Sequence, residues 1–148
     1  MRRMPKEERE EVLDGAKKIF FEAMLNDKLG SGRALVGHYR LVKFSQVTPL
    51  SGYIQGGVSI SFHDKPIWQM TYEGHYPKEV TAFLKEALST AYLLNEFCGG
   101  RGPFRYKVGN MEYRNSAENG SFEKFHGRES IIVGENEVGH CTFSGGII

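Results

Sequence analysis

Glu129 is the carboxylate whose setting most invites chemistry, because it stands between Gly127 and the apolar run Ile131 to Val133. A half-buried Glu can serve as a base or hold a cationic group, since burial and neighbouring charge both shift its ionisation. The commoner fate is exposure or pairing with an arginine, and Arg101, Arg105, Arg114 and Arg128 are all available. A second group is aromatic: Trp68, Tyr72, Phe62 and Met70 offer surface of the kind that encloses small ligands. The plainer reading is a core beneath an amphipathic helix. Trp68 is retained as a site candidate because a shift of 71 residues sets it against Gly139. A large residue opposite none is one way for a repeated scaffold to become concave. Enclosure of Trp68 on every side would remove it from such a site.

Other chemistries lack their residues. His38, His63, His75, His126 and His140 show neither HExxH spacing nor a cysteine in ligand register, so no metal is expected. Ser116, Ser121 and Ser144 lack a Gly-x-Ser-x-Gly elbow, and Cys98 and Cys141 lack the surroundings of a nucleophile. Cys141 reads as a small buried apolar residue. The glycines at 30–32 and 99–102 are not followed by the Lys and Ser or Thr of a phosphate loop. No cofactor is implied. The runs 38–44 and 104–107 interleave bases with aromatics as single-strand binders do, but solvated strand faces share the pattern. Nineteen Lys and Arg against 18 Asp and Glu leave a formal charge of +1, which supplies no broad field toward nucleic acid or membrane. Neither direct DNA binding nor membrane association is expected. With no apolar run long enough for a signal or a span, a cytoplasmic location is expected.

These residues need elements to position them. Pro5 with Lys6, Glu7 and Glu8 suits a helix start, continued by Val12, Ala16, Ile19, Phe20 and Ala23 and stopped at Gly30 to Gly32, where a loop begins. A strand is expected at 38–46. An antiparallel pair follows at 51–62 and 67–72, closed by His63 to Pro66, with Ile60, Phe62, Trp68, Met70 and Tyr72 on one face and Ser59, Ser61, Gln69 and Thr71 on a wet one. Val80, Phe83, Leu84, Ala87, Leu88, Ala91 and Leu94 give the clearest helix, starting at Pro77 and ended by Gly99 and Gly100. A meander of five strands is expected after it, at 104–108, 111–115, 121–126, 130–133 and 138–143, with turns at Gly109, Asn119–Gly120, Gly127 and Gly134.

The chain repeats itself. At an offset of 71, Gly56, Ser59, Ile60, Thr71 and Gly74 fall on Gly127, Ser130, Ile131, Thr142 and Gly145. The same shift places Val12, Leu13, Ala16 and Phe20 on Phe83, Leu84, Ala87 and Ala91, in one helical phase. Register is lost between about 30 and 51, where one copy must carry an insertion or deletion. At 148 residues a single domain is expected, with pseudo-repeats at about 5–74 and 77–148.

Pro66-Ile67-Trp68-Gln69-Met70-Thr71-Tyr72-Glu73-Gly74 resembles the proline, tryptophan, methionine, tyrosine, glycine signature of an uncharacterised-domain family, number 5680. The likeness runs on through 83–88, Arg101-Gly102-Pro103, Asn119-Gly120-Ser121-Phe122-Glu123 and Phe125, Gly127, Glu129 and Ile131, to Phe143, Gly145, Gly146 and Ile147. It covers most of the chain from about Val36 onward. The resemblance implies no catalytic residues. Fusion of such domains behind XRE-type helix-turn-helix repressors implies a sensing or regulatory accessory, although one helix before the strands leaves no room for a helix-turn-helix here. Val58 stands where many members carry an acid, so Glu129 has no acidic counterpart.

The fold expected is α+β: two helix-plus-three-or-four-strand units, with both helices on one side of an antiparallel sheet. That arrangement resembles the GyrI-like effector-binding domains, where a small molecule lodges between repeats. The leading expectation is a non-catalytic small-ligand-binding or sensing accessory, with Trp68, Tyr72, Tyr39, Tyr53 and Tyr113 as stacking surface and Glu129 as the polar group. Two alternatives are a small enzyme using Glu129 or a histidine as general base, and an interaction module whose strand edge pairs with a partner or a second copy, as a homodimer.

Overall fold

The computed structural model describes residues 4–26 and 30–148. Helix α1 (Lys6–Asn26) is followed by four strands, β1 (Gly32–Val36), β2 (Tyr39–Val47), β3 (Tyr53–Phe62) and β4 (Lys65–His75). A single 3-10 turn (Lys78–Val80) leads into α2 (Thr81–Leu93), and four more strands follow: β5 (Arg105–Val108), β6 (Met111–Ser121), β7 (Lys124–Val133) and β8 (Asn136–Ile147). All eight form one antiparallel sheet in the order β1-β2-β3-β4-β8-β7-β6-β5, so the order reads the same from either edge. The α+β class follows.

The ladder registers carry the 71-residue offset into space. Tyr72 lies opposite its own counterpart, Phe143, which marks the pseudo-two-fold at the centre of the sheet. Gly56 pairs with Tyr72 as Gly127 pairs with Phe143, and the two bulges fall at Ile60/Ser61 and Ile131/Ile132, again 71 apart. In the outer hairpins the offset is 72, since Val36 pairs with Tyr39 as Val108 pairs with Met111. The chain is therefore one residue shorter between ladder partners of β6 and β7, as in Met111 and Val133, than between those of β2 and β3, as in Tyr39 and Phe62. This is a pseudo-two-fold of geometry; descent of the halves from one ancestral unit remains a proposal.

Side-chain alternation decides which face is covered. Ile60, Trp68, Met70, Tyr72, Tyr113, Ile131 and Phe143 point inward and join Ala16, Ile19, Phe20, Leu84, Ala87 and Leu88 of the helices in one core. Ser59, Gln69 and Thr71 face water as expected, and Phe62 is half-buried. The other face of the sheet is open.

Four local expectations change. Gly32–Val36 forms a strand, not loop, because β2 supplies its ladder partners. Asn119 and Gly120 lie within β6 and Gly127 within β7, so the expected meander of five strands is four long ones whose turn falls at Phe122–Glu123. Gly127 is there for close approach: a Cβ would stand 2.6 Å from the Ala117 Cα. Finally, α2 ends at Leu93, where Asn95 takes a left-handed conformation (φ 54°). Asn tolerates that region through local hydrogen bonding of its short side chain. Gly99 and Gly100 belong to the loop beyond.

Candidate functional site

That loop is the unusual part of the molecule, because Cys98 to Gly102 are all buried. A buried loop must have its backbone groups satisfied. The Asn115 side-chain amide on β6 does so, donating to the Gly99 carbonyl at 2.7 Å and the Gly102 carbonyl at 3.1 Å. Gly100 lies against the Phe143 ring and Gly102 against the Tyr113 hydroxyl, with no room for a side chain at either position. The loop thereby carries Arg101 to the centre of the sheet.

There the Arg101 guanidinium meets Glu129. Its Nε and Nη2 both donate to Glu129 Oε1, the former at 3.1 Å, while the Tyr113 hydroxyl donates to Oε2 at 2.6 Å. Side-chain exposure is 2% for Arg101 and 0% for Glu129, so solvent screens neither charge. The Tyr72 ring covers the guanidinium, with its centroid 4.4 Å from Cζ. Burial is the largest single influence on Arg101 and works against its charge, but Glu129 together with Cys141, Tyr72 and Tyr76 outweighs it, so the group stays protonated. Burial first, and then the Glu129 charge, pushes Tyr76 and Tyr113 far up, which keeps both hydroxyls neutral. The same two causes push the Cys141 thiol up to about 12. The other arginines are spent elsewhere: Arg105 and Arg114 hold Glu112, and Arg128 holds Glu137.

A cavity of about 600 Å³ opens beside this cluster, with Arg101 and Tyr76 in its wall. Lys78, Thr81, Leu84 and Lys85 line it from the 3-10 turn and α2, and Ser45, Val47, Thr48, Pro49, Gly52 and Ile54 from β2, β3 and their connection. Thr48 stiffens that rim. Its hydroxyl accepts from the Tyr53 amide at 3.1 Å and sits 2.6 Å from the Ser51 hydroxyl, and its carbonyl accepts from Gly52 at 2.9 Å. A depression of about 440 Å³ on the open face, floored by Thr71, Glu73, Thr142 and Ser144, is smaller and touches none of the buried charges.

The expected site residues divide into two sets. Tyr72, Tyr113 and Glu129 gather around Arg101. Trp68, Tyr39 and Tyr53 do not. Trp68 is wholly enclosed, stacked on Phe122 at 4.5 Å with its indole N–H donating to the Phe122 carbonyl at 2.7 Å. By the criterion set for it, Trp68 is core. Tyr39 donates to the Val12 carbonyl at 3.0 Å and ties β2 to α1. Tyr53 donates to Glu73 on the open face. The counterpart position, Gly139, matters for another reason: a Cβ there would stand 2.6 Å from the Tyr76 ring, so its absence lets Tyr76 reach the cluster. Sequence reasoning missed Tyr76, Asn115 and the two lysines. The available signal was an arginine flanked by glycines and followed by proline, the composition of a loop packed close to something large.

The profile of one family, described as "Domain of unknown function (DUF5680)", matches residues 52–148, well over half of the chain. The chain belongs to this family. Within the DUF5680 match lie Tyr72, Tyr76, Arg101, Tyr113, Asn115, Glu129 and Cys141, hence the whole buried cluster. The match begins at residue 52 instead of near Val36, so α1, β1 and β2 lie outside it, including the cavity wall from Ser45 to Pro49. Comparison with curated proteins gave no match, and neither did comparison with solved structures. Among the described residues no helix is long and apolar enough to cross a membrane, and no three of His, Cys, Asp and Glu gather as a metal shell.

Proposed function

We propose that this DUF5680 protein is a non-catalytic small-ligand-binding protein, a cytoplasmic sensing or regulatory accessory, and that its ligand enters the 600 Å³ cavity. The observation that carries the reading is the fully buried Arg101–Glu129 pair, whose Arg101 lines the largest of these depressions with Glu129 behind it. A buried ion pair contributes little to stability compared with apolar packing, so its presence calls for another reason. The cavity has the size and mixed lining of small-molecule sites. The general-base alternative is less well supported. Both Glu129 oxygens are committed to Arg101 and Tyr113, and no histidine is among the described residues lining the cavity.

The test is a thermal-shift screen of a metabolite library against the wild-type protein and Thr81→Trp, in which the indole fills the cavity from a partly exposed position. Ligands that stabilise the former and not the latter support the reading. Ligands that stabilise both equally place binding elsewhere and refute it. Self-association is a second proposal, favoured by the unpaired edge of β1, where Leu35 is 72% and Val36 47% exposed. Sedimentation showing a monomer at every concentration would exclude it.

A further inference from the structure

The cavity lining is unequal in charge. Lys78, Lys85 and Arg101 are its ionised residues, and no Asp or Glu is among its described lining residues. Glu129 balances Arg101 from behind, so the net field in the cavity comes from the two lysines. Neither has an ion-pair partner within 4.0 Å among the described residues. The acids adjacent in sequence, Glu79 and Glu86, are not part of the lining, and Glu86 is drawn to the Tyr106 hydroxyl on β5. The rest of the wall is of two kinds. Val47, Pro49, Ile54 and Leu84 are apolar, whereas Ser45, Thr48 and Thr81 carry hydroxyls.

We propose that the ligand is an amphipathic organic anion, one acidic head group on an apolar body. The head lies between Lys78 and Lys85, and the body lies against Val47, Ile54 and Leu84. This rests on the reading that the cavity binds a small ligand. An anion gains Coulomb attraction from two cations in a concave site with low-dielectric walls, where field lines are focused. A cation is repelled there, and a neutral amphiphile meets only the apolar wall. The hydroxyls accommodate an acidic head as donors without adding charge.

The experiment titrates octanoate, 1-octanol and octylammonium, matched in chain and differing in head charge, by calorimetry. The proteins are wild type, the double variant Lys78→Gln/Lys85→Gln, and Thr81→Trp. Both lysines are exposed on their turns, so the double variant keeps the fold. Octanoate is expected to bind at least about tenfold tighter than 1-octanol, with the margin narrowing in high salt. The double variant is expected to lose that margin while its affinity for 1-octanol stays unchanged. Failure of octanoate to bind, octanol or octylammonium binding as tightly, or an undiminished margin in the double variant each overturn the anion assignment. The underlying reading fails on a different result, the absence of any ligand whose binding Thr81→Trp removes.

Discussion

Removing one charge from the Arg101–Glu129 pair should cost far more than removing both. Glu129→Gln keeps an oxygen for the Tyr113 hydroxyl but leaves a guanidinium with 2% exposed side chain facing a neutral amide. Stranding a buried charge costs about 3–5 kcal/mol. Arg101→Met strands the carboxylate in the same way, with the Tyr113 hydroxyl as its remaining donor. In Arg101→Met/Glu129→Gln neither charge remains. The residual loss is the unmet amide N–H, about 1–3 kcal/mol, offset by the apolar packing of methionine under the Tyr72 ring. The two single costs would sum to roughly 6–10 kcal/mol if independent. A double variant near 1–3 kcal/mol therefore implies a coupling of at least about 3 kcal/mol. Urea denaturation with linear extrapolation measures all four corners of the cycle. For a chain of this length each kcal/mol also moves the melting temperature by about 2–4 °C, so the single variants melt some 6–20 °C lower. A Glu129→Gln variant within 1 kcal/mol of wild type would show that the pair is not the buried, unscreened contact described, and additive losses in the double variant would show the same.

Two further outcomes follow from the packing and the titration. Trp68→Ala removes a side chain stacked on Phe122 and bonded to its carbonyl, so it should destabilise by about 3–5 kcal/mol in urea. At temperatures where the variant remains folded, it should leave the affinity of any cavity ligand unchanged; a selective loss of affinity would return Trp68 to the site. The buried Cys141 thiol, pushed up to about 12 from its ordinary 9.0, should resist alkylation at pH 8 in the folded protein and react once it is unfolded. Its folded-state value is the higher one, so its contribution to stability is complete below pH 9 and is lost as pH rises toward 12. Rapid labelling of native Cys141 would contradict its burial.

Much of the fold is legible in the residues themselves. Period-two alternation at 58–60 and 68–72 specifies the faces of β3 and β4, because neighbouring side chains on a strand must point in opposite directions. The 71-residue self-similarity is expressed as register, with Tyr72 opposite Phe143 and bulges at matched places. The turn at Phe122–Glu123 is less visible, since Asn119-Gly120 is the stronger local turn signal and long-range pairing with β7 overrides it. β1 is hidden for a related reason: five residues with a weak apolar pattern become a strand only when β2 lies alongside.

The site divides along the same line. From sequence alone, Glu129 stands out as an acid in an apolar strand that needs a cation, and four arginines qualify. The choice among them is tertiary. Arg105 and Arg114 are near Glu112 along the ladder, and Arg128 faces outward toward Glu137, leaving Glu129 to Arg101 on a loop folded inward after α2. The cavity is tertiary as well, being a gap between α2 and the β2–β3 connection that no single segment encodes. Even the contrast between Trp68 and Gly139, visible at once in the repeat, takes its meaning only from packing. The tryptophan is absorbed into one half of the core, and the glycine in the other half makes room for Tyr76 beside a buried charge.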